Sequence, residues 1–138
     1  MNPAEQILRA LDLHLSGPAE VRLMGGAAMI LGYGMARATE DADLLHSTAE
    51  LEAMVESADL GHALARTNED LSPLGLYLSH IWGPEQQILS RGWERACRPV
   101  RFDPPLSRLQ VLVLGPVDLL LSKLCRADTG DLADIRWL

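Results

Sequence analysis

The sequence predicts an α+β (α/β) protein in which a small mixed sheet is flanked by helices. Short apolar runs bounded by glycine or proline, at residues 21–24 and 109–114, are typical of strands. Other segments carry apolar residues at every third or fourth position, as helices packed on a core do. A chain of 138 residues suits one hydrophobic core, so we expect residues 1–138 to form a single domain.

The first helix is predicted from its capping residues. Asn2 can cap the first turn, Pro3 suits the first helical position, and Glu5 lies three residues after the cap. An apolar stripe at helical spacing follows, formed by Ile7, Leu8, Leu11 and Leu15. The Ser-Gly-Pro sequence at residues 16–18 is expected to end this helix.

The next stretch joins two predicted strands through a glycine turn and a helix. Residues 21–24 form the first strand, and Gly25 and Gly26 form the tight turn into an apolar helix. Residues 41–46 are predicted to form the second strand. The glycines would let backbone N–H groups approach a phosphate at the start of the helix, where the helix dipole favours anions.

Two carboxylates lie two residues apart on the second strand. Because such residues share a face, Asp41 and Asp43 are expected to project side by side. At about 4 Å they would repel by about 1 kcal/mol in water and about 4 kcal/mol at an effective dielectric near 20, so a cation between them is favoured. Mg²⁺ binds such oxygen ligands together with substrate phosphates. A solvated loop edge is the alternative for the pair taken alone.

The middle of the chain gives weaker predictions. Ser47 and Glu50 form a capping box before an apolar stripe, which predicts a helix through residue 58. Residues 67–74 are predicted to be a polar loop, and residues 75–82 fit either a strand or a helix. Residues 88–98 suggest a strand and a short helix.

The last third is predicted to hold two strands and two helices. The strands are residues 99–103 and 109–114, and the second is apolar on both faces, as in a buried central strand. A helix follows Gly115-Pro116, and its expected core stripe is Val117, Leu120, Leu121 and Leu124. The final helix begins at Asp131, and its expected packing residues are Leu132, Ile135 and Leu138.

Charge and composition limit the function. The chain has no P-loop, no metal-type cysteine spacing, no signal-peptide pattern and no apolar run near the roughly 18 residues of a membrane span. We therefore expect a cytoplasmic protein with free thiols and no membrane partner. The net charge of −7 argues against a general nucleic-acid binder.

The charges are unevenly distributed along the sequence. Nine acidic residues and one arginine lie between positions 40 and 70, whereas five arginines and two acidic residues lie between positions 88 and 110. Such an arrangement suits a site that handles both metal and phosphate. A solvated surface with internal ion pairs is the alternative.

The glycine and aspartate residues together resemble the first motif of the nucleotidyltransferase-fold proteins, most closely the AbiEii-like toxins and their bacterial relatives. The residues of this motif are Gly25, Gly26, Ala28, Gly34, Arg37, Thr39, Asp41 and Asp43, with Gly32 equally eligible in place of Gly34. The chain also resembles later motifs of this family, at Lys123, Arg126, Asp131 and Asp134. The resemblance covers most of the chain from about residue 21 onward.

This resemblance implies a polymerase-beta-like fold and transfer of a nucleoside monophosphate from a nucleoside triphosphate to a hydroxyl group, with release of pyrophosphate. Asp41 and Asp43 would hold Mg²⁺ and, with Lys123 and Asp131, would form the catalytic group. Nucleotide or phosphate contacts would come from Gly25, Gly26, Arg37, Thr39, Arg126 and Asp134. The acceptor would be an RNA such as tRNA, or a protein, in a toxin–antitoxin setting.

Several alternatives stay open at the level of sequence. Polymerase-like sites usually add a third carboxylate, and Asp103 is the only acidic residue in the predicted strands of residues 99–114. A nucleotidyltransferase-fold module that binds nucleotide or a partner without turnover is therefore a rival hypothesis, and an antitoxin-like interaction protein is a third. Nothing in the sequence terminates the last helix, so we expect either a shortened domain or a homodimer that covers its apolar side.

Overall fold

A five-stranded mixed sheet lies at the centre of the structure. The computed structural model describes residues 2–36, 39–46, 59–82, 88–126 and 136, without the side chains of residues 80–82, 125 and 126. In chain order the elements of this part are α1 (Pro3–His14), β1 (Ala19–Met24), α2 (Gly25–Tyr33), β2 (Asp41–Leu45), α3 (Asp59–Leu71), a 3₁₀ turn (Ser72–Leu74), β3 (Tyr77–Trp82), α4 (Trp93–Ala96), β4 (Arg98–Pro99), β5 (Leu109–Val113) and α5 (Pro116–Arg126).

The strand order is β3-β2-β1-β5-β4. β1 runs antiparallel to β2 and parallel to β5, while β3 runs parallel to β2 and β4 antiparallel to β5. The predicted mixed sheet flanked by helices is thus confirmed. The order also places the strand that carries Asp41 and Asp43 between the outer strand β3 and the central strand β1.

One face of the sheet is apolar and covered by helices. Leu23 of β1 pairs with Leu44 of β2, and both side chains are fully buried. Val113 of β5, on the same face, approaches Gly32 of α2 so closely that a side chain at Gly32 would collide with it. The buried stripe of α1 completes this core, which agrees with the predicted packing of the first helix.

The other face carries the polar side chains. Met24 of β1 pairs with Asp43 of β2, so their side chains share this face with Arg22 and Asp41. Ala42 and Leu44, which alternate with the aspartates, are buried on the apolar face. The alternation along β2 therefore projects both carboxylates away from the core, as the two-residue spacing predicts.

Both ends of α1 are fixed by side chains. Asn2 caps the helix, since its Oδ1 accepts a hydrogen bond of 2.8 Å from the N–H of Glu5. Near the other end, the buried carboxylate of Asp12 accepts hydrogen bonds from the backbone N–H groups of Ser107, Arg108 and Leu109 at 2.8–2.9 Å. Burial alone raises the pKa of Asp12, but these bonds and the charge of Arg108 outweigh it, so that the pKa lies below its ordinary value.

The structure corrects the loop predicted at residues 67–74. Helix α3 continues to Leu71, and only the 3₁₀ turn follows it. Thr67 is fully buried, and its hydroxyl donates to the carbonyl of Ala63 at 2.6 Å, which satisfies its polar group inside the helix. The buried residues of α3 recur at helical spacing and are Ala63, Leu64, Thr67 and Leu71. The polar residues among them made this spacing hard to recognise in the sequence.

Within residues 75–82, which fitted either a strand or a helix, residues 77–82 form the outer strand β3. Asn68 of α3 holds this strand at its free edge: its side-chain amide donates to the carbonyl of Leu78 at 2.9 Å and its oxygen accepts from the N–H of Leu78 at 2.8 Å. On the other side, the N–H of Tyr77 donates to the carbonyl of Glu40. Backbone groups on both sides of β3 are therefore paired.

The strand predictions near β5 are partly right. β5 lies between β1 and β4, as predicted for an interior strand, with Leu109, Val111 and Val113 buried. The strand predicted at residues 99–103 is wrong in extent, because β4 is only Arg98–Pro99. Within residues 88–98 the short helix forms as α4, but residues 88–92 form no strand; Gly92, with φ of +74°, turns the chain into α4.

The face assignment of α5 is wrong in the prediction. Val117 and Leu124, expected in the core, are 60% and 52% exposed, and Leu120 and Leu121 are only partly buried. The opposite side of the helix is the buried one, and it is formed by Asp118, Leu119, Ser122 and Lys123. α5 thus directs a mixed polar surface inward and its leucine stripe outward.

Two predicted helices lie outside the described residues, namely the one after Ser47 and most of the one that begins at Asp131. Arg136, within the second, is helical and exposed. Among the described helices, none combines the length and apolar character that a membrane span requires.

Candidate active site

The turn between β1 and α2 is built against a carboxylate. Gly25, the first residue of α2, has φ of +69°, a conformation that residues with a side chain rarely adopt. A Cβ atom at this position would lie 3.0 Å from Oδ2 of Asp43. Glycine is therefore required at position 25 for two reasons: its backbone conformation and the closeness of the Asp43 carboxylate.

The start of α2 is suited to an anion. Its N-cap residue, Met24, makes no side-chain hydrogen bond to the first turn. The first backbone N–H groups of a helix have no partner within the helix itself. These groups carry the positive end of the helix dipole, where phosphates bind in many proteins. A triphosphate at this turn would lie next to Asp43, and a cation would be needed to offset the repulsion between them.

Asp41 and Asp43 share the polar face and differ in exposure. Asp41 is exposed and Asp43 is half-buried. Their Cα atoms are about 6.6 Å apart, given the rise of an extended strand. Thr39 orders the entrance to this strand, because its hydroxyl accepts from the N–H of Asp41 and donates to the Asp41 carbonyl. A contact from Thr39 to nucleotide stays a prediction.

Lys123 lies on the inward side of α5 and is 3% exposed. α5 packs against α2, the helix that begins at Gly25. A buried ammonium group needs nearby polar or anionic partners, since desolvation disfavours its charge. Its burial distinguishes Lys123 from a solvated surface lysine, and its role in catalysis stays a prediction from the motif.

The remaining predicted site residues are not all placed. Arg37, Asp131 and Asp134 lie outside the described residues, as does the side chain of Arg126. Their roles in binding or catalysis stay predictions that rest on the sequence motifs.

The structure does not support Asp103 as the third carboxylate. Asp103 is exposed and precedes a cis bond to Pro104, whose carbonyl accepts a hydrogen bond from Arg9 of α1. It lies after β4, which is three strand positions from β2, or about 14 Å across the sheet. The segment that carries Asp103 is thus attached to α1 through Pro104, several strands away from β2.

Two residues beside the aspartates were not predicted. In the parallel pairing of β2 and β3, Tyr77 lies opposite Asp41 and Ser79 lies opposite Asp43. Their side chains share the polar face of the sheet, since Leu78 between them is fully buried. The alternation of polar and apolar residues at positions 77–79 was the available sequence signal. It shows that Tyr77 and Ser79 share a face only if the segment is a strand, which the sequence left open.

A separate cluster covers the part of the polar face next to β5. The guanidinium of Arg22 lies 5.7 Å from the centroid of the Trp93 ring, and both side chains are largely buried. Asp118 of α5 is 1% exposed and accepts a hydrogen bond of 2.6 Å from the N–H of Ser90. Helix α4 and the segment before it are thereby held against Arg22 of β1 and Asp118 of α5.

Cys97 lies against this cluster and is not suited to be a nucleophile. Burial raises the pKa of the Cys97 thiol, and the charges of Asp118 and Glu94 act in the same direction against that of Arg22. A thiol with a raised pKa holds little thiolate at neutral pH. The carboxylate and ammonium groups stay the candidates for the chemistry of the site.

The donor set of β2 fits Mg²⁺ bound together with substrate. The described residues contain no cluster of three or more histidine, cysteine, aspartate or glutamate side chains able to hold a metal by itself. Mg²⁺ is commonly held by one or two carboxylates while phosphates and waters complete its shell. Asp41 and Asp43, which share one face of the sheet near the turn at Gly25, would provide these two carboxylates.

A glycine turn, an aspartate pair on the neighbouring strand and a buried lysine define a nucleotidyltransferase-like class of protein. Comparison with protein families agrees with this class: the profile of a family described as "Nucleotidyltransferase of unknown function (DUF6036)" matches residues 5–137. The chain belongs to this family. Curated proteins and solved structures gave no match. The narrower likeness to AbiEii-like toxins stays a prediction from the motifs.

Proposed function

We propose that this protein is an Mg²⁺-dependent nucleotidyltransferase that moves a nucleoside monophosphate from a nucleoside triphosphate to a hydroxyl group. The observation that supports this most is the contact between Gly25 and Asp43, on the face that also carries Asp41. It supports a site in which the turn that would bind phosphate lies close to the carboxylates that would hold the metal.

The turn at Gly25 and Gly26 would bind the phosphates through backbone N–H groups. Asp41 and Asp43 would hold Mg²⁺, which when bound neutralises charge on the phosphates and on the leaving pyrophosphate. Lys123 would add a point charge to the same task. Because the protein does little covalent chemistry in such a transfer, its contribution is positioning and electrostatic stabilisation.

The acceptor would be the hydroxyl of an RNA such as tRNA, or of a protein. The toxin–antitoxin role rests on the motif resemblance and belongs to the same proposal. A direct test offers both acceptor classes to the protein with each nucleoside triphosphate and measures pyrophosphate release. Release that depends on one class identifies the acceptor.

A binding module without turnover is the second candidate. It is favoured by Tyr77 and Ser79, which occupy the β3 positions next to the aspartates without supplying a third carboxylate. Such a module would bind triphosphate in the presence of Mg²⁺ and release no pyrophosphate with any acceptor. Pyrophosphate release therefore separates the two candidates.

The aspartates provide the decisive variant. We expect Asp43→Asn to weaken Mg²⁺-dependent triphosphate binding at least tenfold, measured by titration calorimetry, because a neutral amide is a poor Mg²⁺ ligand. Glu69→Gln is the matched control, since Glu69 is an exposed acidic residue of α3 and its change removes the same charge. Equal binding by both variants would contradict the proposed site.

A further inference from the structure

We propose that Tyr77 is itself a nucleotide acceptor, so that the protein attaches a nucleoside monophosphate to its own tyrosine hydroxyl. This inference rests on the proposed function and names one substrate of the same site. The modification would take place on β3, directly beside the aspartate pair.

The pairing of β2 and β3 places Tyr77 at the site. Tyr77 lies opposite Asp41 in the parallel register, and neighbouring strands are about 4.8 Å apart. Both side chains project from the polar face, so the tyrosine rises next to the carboxylate. A triphosphate bound through Mg²⁺ on Asp41 and Asp43 would lie above the sheet at the height that a tyrosine side chain reaches.

The two tyrosines of the chain differ in availability. Tyr77 is 52% exposed, although it lies on a strand of the central sheet. Tyr33 is half-buried at the end of α2, and its hydroxyl donates a hydrogen bond of 2.8 Å to the carbonyl of Leu114. Its ring is further covered by the guanidinium of Arg98, 5.3 Å from the centroid. Tyr33 is therefore a natural control for Tyr77.

Ser79 is the other hydroxyl on this part of β3, opposite Asp43. Its side chain is shorter than that of an aspartate, so its oxygen lies below the carboxylate tips and below any phosphate bound to them. It is also half-buried. A tyrosine hydroxyl extends past the carboxylates, and for this reason Tyr77 rather than Ser79 is the acceptor.

The transfer is a single displacement at phosphorus. The phenolic oxygen of Tyr77 bonds to the α-phosphorus of the triphosphate, and the bond from that phosphorus to the bridging oxygen breaks. Pyrophosphate leaves with the electron pair of that bond, and the phenolic proton passes to solvent water. The product is a tyrosine–nucleoside monophosphate ester, and no further reactant is required.

The experiment uses the full chain, Mg²⁺ and each of the four nucleoside triphosphates labelled at the α-phosphate. We expect label on the wild-type protein, an intact mass increased by one nucleoside monophosphate, and a fragment spectrum that places it on Tyr77. Tyr77→Phe should reduce the label at least tenfold, whereas Tyr33→Phe and Ser79→Ala should keep it. The melting temperature of Tyr77→Phe verifies that the variant is folded.

Two results would overturn the inference. Label that persists in Tyr77→Phe, or that maps to another residue, places the acceptor elsewhere. An unlabelled wild-type protein that nevertheless releases pyrophosphate with an added RNA or protein keeps the proposed function and removes the self-modification. Failure of Mg²⁺-dependent triphosphate binding is a different outcome, because it removes the proposed function as well.

Discussion

The contact between Gly25 and Asp43 connects backbone conformation to chemistry. A left-handed residue at the start of α2 is tolerated because it is glycine, and the space that the missing side chain leaves is filled by a carboxylate. The glycine pair and the two-residue spacing of the aspartates are visible in the sequence. Their contact is not, since it depends on the antiparallel register in which Met24 pairs with Asp43.

Gly25→Ala and Gly34→Ala separate these two requirements. Both glycines have φ near +70°, but a Cβ atom at Gly34 would meet nothing within 4 Å. Each substitution should therefore lower the free energy of unfolding by about 1–2 kcal/mol in urea titrations, the cost of a left-handed alanine. Only Gly25→Ala should also abolish Mg²⁺-dependent triphosphate binding. This explanation would be contradicted if Gly34→Ala lost triphosphate binding while Gly25→Ala kept it.

Asp12 gives a pH dependence of stability. Its pKa in the folded protein is below the ordinary value of 3.8, so it stabilises the fold above that pH and this contribution is lost as the pH falls through the folded pKa. Asp12→Asn should cost about 1–3 kcal/mol at pH 7, because the hydrogen bond from Ser107 is lost. Urea titrations of both proteins should show this difference shrinking below pH 4.

At the scale of elements, α5 shows how far periodicity can be trusted. The sequence correctly predicts a helix here, because apolar residues recur at three and four positions. Periodicity does not say which side faces the protein, and the apolar side was the natural choice. The helix instead turns Asp118 and Lys123 inward, where Asp118 accepts a hydrogen bond from Ser90 and Lys123 is buried.

Two leucines of α5 test this orientation. Leu119 is fully buried and Leu124 is 52% exposed, so Leu119→Ala should cost about 2–4 kcal/mol of unfolding free energy and Leu124→Ala less than about 1 kcal/mol. Both changes remove the same atoms from the same helix, and chemical denaturation compares them directly. Equal costs would mean that the outward stripe of α5 is covered by another surface in solution.

At the scale of the whole molecule, the strand order could not be predicted from the sequence. Local patterns identify β1, β2 and β5, but the order β3-β2-β1-β5-β4 depends on pairings between residues as far apart as Leu23 and Val113. Short strands such as β4 carry too few residues to give a periodic signal. The class of fold was predictable because it requires only that strands and helices be recognised.

The outer edge of the sheet is closed by a side chain. Asn68 pairs with both backbone groups of Leu78, as a neighbouring strand would. Asn68→Ala should lower the free energy of unfolding by about 1–3 kcal/mol, because those groups lose their partner. It should also promote association through the exposed edge. Light scattering over a range of concentrations measures this, with the exposed Glu69→Ala as control. A variant that stays as dispersed as wild type would exclude an edge-protecting role.

The packing of Trp93 over Arg22 has a consequence for how an acceptor arrives. Among the described residues, Trp93 of α4 packs over Arg22 toward the β5 side of the polar face, whereas the β3 side carries an exposed tyrosine. A hydroxyl group that approaches across β3 would pass Tyr77 before it meets a bound nucleotide. A nucleotide attached to Tyr77 would then lie on this path and hinder the approach of the next acceptor.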